Sequence, residues 1–145
     1  MKFGTKVIIA LALLANLWFV SSCNNGPKRE LWLDEVYKDS CFVQDWGIPQ
    51  INQSVVWTPL TVNSVVYERG IGAHSISRML YDLGGKAVSV SGLVGADDNN
   101  LYAGKLQFKI IGDKKELWKS GVMQKGDPVE EFNVNLSGID KVLLL

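Results

Sequence analysis

From residue 31 onward the apolar positions recur mostly every second residue rather than every third or fourth. Residues 74–83 (HSISRMLYDL) read as one strand entered from the glycine turn Gly70-Ile71-Gly72. Residues 87–95 put Val88, Val90 and Val94 on one face and Ser89, Ser91 and Leu93 on the other. Residues 105–111 turn Leu106, Phe108 and Ile110 inward and Lys105, Gln107 and Lys109 outward, and Phe132, Val134 and Leu136 alternate with Glu131, Asn133 and Asn135. A period of two is the side-chain period of a strand, and one apolar face per strand describes a half-buried antiparallel sheet. Turn chemistry separates the runs at Gly84-Gly85, Gly112-Asp113, Gly126-Asp127-Pro128 and Ser137-Gly138. Short strands at this spacing predict an all-β fold, an antiparallel β-sandwich or jelly roll. No segment carries a convincing amphipathic helix, and residues 34–40 have room for one turn. The chain has no internal repeat and no low-complexity stretch.

The first thirty residues break this pattern. Lys2 and Lys6 precede an apolar run over residues 7–20 and the small pair Ser21-Ser22, the layout of a secretory signal and short for a transmembrane helix. Cys23 after Val20-Ser21-Ser22 resembles the bacterial lipobox, which implies a signal peptide over 1–22, lipidation at Cys23 and anchoring in the bacterial cell envelope. Acyl chains hold such a residue in the bilayer at about 0.8 kcal/mol per buried methylene. Residues 23–30, with Gly26-Pro27, read as a short flexible tether, leaving one domain over 31–145. The whole chain balances 15 basic against 15 acidic side chains. Without Lys2 and Lys6, 13 basic side chains face 15 acidic ones, a formal charge of −2, with no basic patch for nucleic acid. With Cys23 lipidated, Cys41 has no intramolecular partner, which excludes a disulfide framework; it is expected as a small buried hydrophobe.

A series of short pieces then follows in fixed order. LWLDEV opens at residue 31. Gln44-Asp45-Trp46-Gly47 comes next, with Pro49-Gln50 and Asn52-Gln53-Ser54. Pro59-Leu60-Thr61 leads to Tyr67-Glu68-Arg69-Gly70-Ile71-Gly72-Ala73-His74 and Tyr81-Asp82-Leu83-Gly84-Gly85. Gly95-Ala96-Asp97-Asp98, Gly112-Asp113 before Leu117, Ser120-Gly121 and Leu136-Ser137-Gly138 complete the set. Together and at these spacings, the chain from about Leu31 to Leu145 resembles the NPCBM family, carbohydrate-binding modules first noticed beside glycoside hydrolases. The resemblance implies a galactose-binding-like sandwich without catalytic residues, a first strand at LWLDEV, and glycans, plausibly with galactose, as ligands. Two departures stand out. Asn99 follows the aspartate pair where the family often has an acidic residue, and family members continue past the last apolar run into a closing strand, whereas this sequence stops at Leu143-Leu144-Leu145. The expectation is a sandwich lacking its final strand, with exposed apolar core and an unpaired edge. Three uses follow: a glycan-binding module, the N-terminal accessory part of an α-galactosidase-like glycoside hydrolase, or a scaffold for a strand-donating partner.

Sugar recognition needs an aromatic face for the C–H face of a pyranose and fixed polar groups for its hydroxyls. Among Trp32, Trp46, Trp57, Trp118, Tyr67, Tyr81 and Tyr102, Trp46 and Trp57 fall in turn-rich segments, and Trp46 is the first candidate for stacking. Trp32 lies in an apolar run and is expected in the core. His74, the only histidine, can donate to and accept from a hydroxyl, and no matching nucleophile makes it a triad base. The Arg69 guanidinium beside Glu68 could grip vicinal hydroxyls, against the commoner outcome of a solvated ion pair. Asp97 and Asp98, with Asn99 and Asn100, form an oxygen-rich cluster suited to a structural calcium ion, against the simpler reading of an acidic turn. As glycosidase catalysts adjacent aspartates are poor, because the two carboxylates must face each other across a cleft. Gly70-Ile71-Gly72 lacks the third glycine of a dinucleotide fingerprint.

Overall fold

Most of the period-two segments become strands and most of their inward positions are buried, although the strand expected over 105–111 starts only at Lys109 and Val88 and Leu106 are half-buried. The computed structural model describes residues 30–36, 40–99 and 104–145, and among these every regular element is a strand. They run β1 (Cys41–Gln44), β2 (Gln50–Ile51), β3 (Leu60–Val62), β4 (Val65–Tyr67), β5 (Ile71–Gly72), β6 (Ser77–Asp82), β7 (Ser89–Val94), β8 (Lys109–Gly112), β9 (Lys115–Lys119), β10 (Glu130–Asn135) and β11 (Lys141–Leu144). All pairings are antiparallel: a five-stranded sheet in the order β1-β6-β11-β8-β9, a β7–β10 ladder, and the pairs β2–β5 and β3–β4.

The core lies between the five-stranded sheet and the β7–β10 ladder. Met79 and Tyr81 of β6, Ile110 of β8, and Val142 and Leu144 of β11 pack in one cluster with Val90, Val94, Phe132 and Val134 from the facing ladder. A fully buried side chain of this size contributes about 1.5–3 kcal/mol, so this layer holds the two sheets face to face. A smaller cluster of Leu60, Val62 and Tyr67, joined by Trp32, Leu93 and Val129, seats the β3–β4 hairpin. That hairpin and β8–β9 turn on two-residue loops, Asn63-Ser64 and Asp113-Lys114, with both residues at positive φ. This matches the backbone of the tight turns that suit the twist of paired strands.

Four expectations are corrected. Residues 31–36 form no strand: the Trp32 carbonyl accepts the N–H groups of Glu35 and Val36, making a turn that buries Leu33 and brings Asp34 and Glu35 to Arg69. Trp32 itself is half-buried. The strand expected over 74–83 begins only at Ser77, as β6, and His74 lies in the loop that joins β5 to it, where its N–H donates to Gln44 and the Ile76 carbonyl accepts the Asp45 N–H. Cys41 is exposed, because Phe42 takes the inward position on β1 and successive side chains face opposite ways. The last apolar run forms β11, which lies between β6 and β8, and Leu145 exchanges backbone hydrogen bonds with Lys109. The leader, Cys23, most of the tether, Asn100 and Tyr102 lie outside the described residues.

Candidate glycan-binding site

Three loops meet at one place on the sandwich. The first follows β1 and carries Asp45, Trp46 and Gly47; the second, residues 53–58, joins β2 to β3; the third, residues 73–76, joins β5 to β6. Gln44 ties the first to the third: its side-chain amide donates to the Trp46 carbonyl at 2.7 Å, and its carbonyl oxygen accepts from the His74 N–H at 3.2 Å. The Asp45 N–H adds a bond to the Ile76 carbonyl at 3.2 Å. Gly47 (φ 69) ties the first to the second, since a Cβ there would lie 3.2 Å from Cγ2 of Val55. Gly72 seats the second loop on β5: a Cβ at this position would come within 2.1 Å of the Gln53 carbonyl oxygen, so only glycine permits the approach.

On this base the Trp46 ring stands 56% exposed. The His74 ring lies 5.6 Å from it, tilted by 57°. His74 Nδ1 bonds Asp45 Oδ1 at 2.5 Å, which fixes the imidazole orientation and leaves Nε2 without a hydrogen-bond partner among the described residues. An exposed indole face beside a positioned ring nitrogen and a part-exposed carboxylate offers both surfaces that a monosaccharide needs, one for C–H groups and one for hydroxyls.

The other predicted residues do different work. Arg69 donates to Asp34 at 2.8 Å and to Glu35 at 3.0 Å, and its guanidinium lies 4.3 Å from the centre of the Trp32 ring. Burial opposes its charge, but the bonds to the two carboxylates outweigh that and hold its pKa above the usual value. It therefore locks the 32–35 turn onto the loop before β5. Glu68 is exposed and forms no ion pair among the described residues, so Arg69 pairs instead with the buried carboxylate of Asp34 and with Glu35.

Asp97 and Asp98 clamp the β3–β4 hairpin. Asp97 accepts the N–H groups of Thr61 (3.3 Å) and Asn99 (2.7 Å), and Asp98 accepts those of Asn63 (3.2 Å) and Ser64 (2.7 Å). Burial pushes the Asp97 carboxyl up, against the pull of the Asn99 and Thr61 hydrogen bonds. Among the described residues no group of three or more His, Cys, Asp and Glu side chains is arranged to hold a metal ion.

Sequence reasoning named Trp46 and His74 but missed Asp45 and Gln44 as the groups that join them. The signal was adjacency, since both stand in the same Gln-Asp-Trp-Gly turn as Trp46; nothing in the spacing told that this turn meets His74.

A family model described as the NPCBM/NEW2 domain matches residues 29–145. A Renibacterium salmoninarum protein named as an endo-alpha-N-acetylgalactosaminidase is 32% identical over 80 residues, 55% of this chain and 5% of that protein. An Akkermansia muciniphila alpha-1,3-galactosidase B is 27% identical over 93 residues, 63% of this chain and 12% of the other. The chain thus spans a small part of the curated relatives it matches. Among solved structures, the CBM51 module from Clostridium perfringens GH95, in complex with methyl-galactose, superposes with a TM-score of 0.70 at 22% identity, covering 79% of this chain and 84% of the other.

Proposed function

Because the chain belongs to the NPCBM/NEW2 domain family, we propose that it is a non-catalytic glycan-binding module whose site is the loop surface of Trp46, Asp45 and His74. The observation that carries this reading is the exposed Trp46 ring beside a histidine oriented by a carboxylate. Trp46 takes the apolar face of a sugar, and His74 and Asp45 take its hydroxyls. Galactose is the proposed sugar; its support is the methyl-galactose held by a structural neighbour and the galactosidase and galactosaminidase names of two relatives. A glycan array probed with the domain tests this. Enrichment of galactose- or N-acetylgalactosamine-terminated glycans is expected, and an array with no signal above a Trp46→Ala control overturns it.

Two narrower proposals accompany it. Calcium at Asp97 and Asp98 is supported by ligand type, hard carboxylate oxygens that each keep a second lone pair beyond one backbone N–H. Calcium should then raise the melting temperature above that in chelator, and equal values overturn the idea. Lipidation of Cys23 in a bacterial envelope is supported by the leader pattern; Cys23→Ser should move the protein from the membrane to the soluble fraction, and unchanged membrane retention contradicts it. A second reading, an accessory module of a glycoside hydrolase, is favoured by the small share of two glycosidase-named relatives that the chain matches. Reading the gene downstream decides it: a stop codon without hydrolase-coding sequence removes it.

A further inference from the structure

Trp57 stands out from every other residue in the loop cluster. Its side chain is 63% exposed, and its backbone adopts φ 66. The other non-glycine residues at positive φ are Asn52, Asn63, Ser64, Asp113 and Lys114. Four of these fill two-residue hairpin turns, and Asn52 bonds Gly70 through its side chain and its N–H. A bulky aromatic in this region is a genuine outlier, the kind that persists only when its surroundings force it. Here Ser54 does the forcing. Buried Ser54 accepts the N–H groups of Val56 and Thr58 on its hydroxyl, pairs with the Thr58 hydroxyl at 2.7 Å, donates its own N–H to the Thr58 carbonyl, and accepts the Trp57 N–H at 3.0 Å. A polar knot thus holds an apolar ring in solvent, where its ring makes no aromatic contact among the described residues.

The ring's position in the chain says what it is for. Trp57 lies two residues after Val55, and Val55 packs on Gly47, the residue after Trp46. The loops that carry the two most exposed indoles among the described residues therefore meet at one junction. We propose that Trp57 and Trp46 form a two-ring platform, so that the ligand is an oligosaccharide: Trp46 with His74 and Asp45 takes one sugar residue, and Trp57 takes the C–H face of the next. This rests on the glycan-binding reading above, and it adds the length of the ligand and a residue that selects for it. Rings that stack one to a sugar discriminate chain length with little regard to linkage chemistry, because each pyranose offers an apolar face.

Calorimetric titration tests the proposal. The probes are methyl galactoside and three galactose-terminated disaccharides: lactose, N-acetyllactosamine and Galα1-3Gal. The wild-type domain should bind at least one disaccharide roughly tenfold more tightly than the monosaccharide, a difference of about 1.4 kcal/mol. In Trp57→Ala that ratio should fall to near one. Trp57→Gly, which relieves the backbone conformation, should show the same collapse of the ratio with a melting temperature no lower than wild type, so that loss of binding is separated from loss of fold. A Trp57→Ala ratio equal to the wild-type ratio, with binding intact, overturns the platform and leaves the glycan-binding reading standing. Absence of sugar binding by the wild type overturns both. Binding of sugar-free phosphatidylcholine vesicles that depends on Trp57, with no change in the disaccharide ratio, assigns the ring to a lipid surface and also overturns the platform.

Discussion

Two acidic loops on this sandwich use their carboxylates in opposite ways. Asp97 and Asp98 turn every oxygen to a backbone N–H, on Thr61, Asn63 and Ser64 of the β3–β4 hairpin and on Asn99. Asp45 instead bonds a part-exposed histidine ring beside an exposed tryptophan. The first arrangement satisfies donors that the hairpin turn would otherwise leave open, so its benefit is local order. The second leaves an apolar face and polar atoms in solvent, where they gain nothing for the fold. A region that keeps such surface exposed is a candidate for recognition, whereas one that consumes its polar groups internally is scaffold.

The difference can be broken at its shared foundation first. Gly72→Ala would drive a Cβ into the Gln53 carbonyl, and overpacking against backbone should cost about 3 kcal/mol. Thermal unfolding should drop by on the order of 10 °C, with sugar binding lost alongside as the 53–58 loop moves. Trp46→Ala should separate the two regions. Affinity for galactosides should fall at least about tenfold, roughly 1.4 kcal/mol, while stability stays within about 0.5 kcal/mol because the ring is exposed. Asp98→Ala should do the reverse, with a loss of about 1 kcal/mol, comparable to removing a helix cap, visible as a lower urea midpoint at unchanged galactoside affinity. The smallest effect is a pH dependence. The folded Asp97 pKa lies above its unfolded value because burial disfavours the charge. The native state therefore binds the proton more readily between the ordinary carboxylate value and the raised one, and falling pH through that window favours folding. The melting temperature of wild type relative to Asp97→Asn should accordingly rise as pH falls from 7 towards 4; a difference independent of pH contradicts the shift.

Much of the sandwich was legible in the sequence. Val90, Val94, Phe132 and Val134 alternate cleanly and are buried, because one-sided burial of a strand writes itself into every second residue. What escaped depended on distant partners. The β3–β4 hairpin turns on Asn63-Ser64, a weak turn signal alone, and its two N–H groups are satisfied by Asp98, some 34 to 35 residues on. The resemblance implies a strand at LWLDEV, yet the segment turns, with Arg69 bonding both Asp34 and Glu35. Residues 74–83 alternate well enough for one strand, but Gln44 and Asp45 hold His74 and Ile76 out of the ladder. That interruption places His74 beside Trp46. The candidate site was thus visible as residue types, while its geometry came from side-chain to backbone bonds that no local pattern encodes. Cys41 shows the same limit: its residue type suggests burial, and the inward turn of Phe42 decides otherwise.

The most direct test is to titrate methyl galactoside into isotopically labelled domain and map the backbone amide shifts. Changes should concentrate at residues 44–47 and 74–76, with the Trp46 indole N–H among the largest, and those at 61–64 and 97–99 should stay near zero. Shifts centred on the aspartate clamp, or a spectrum that does not respond to saturating sugar, would contradict the assignment of recognition to the tryptophan–histidine loop surface.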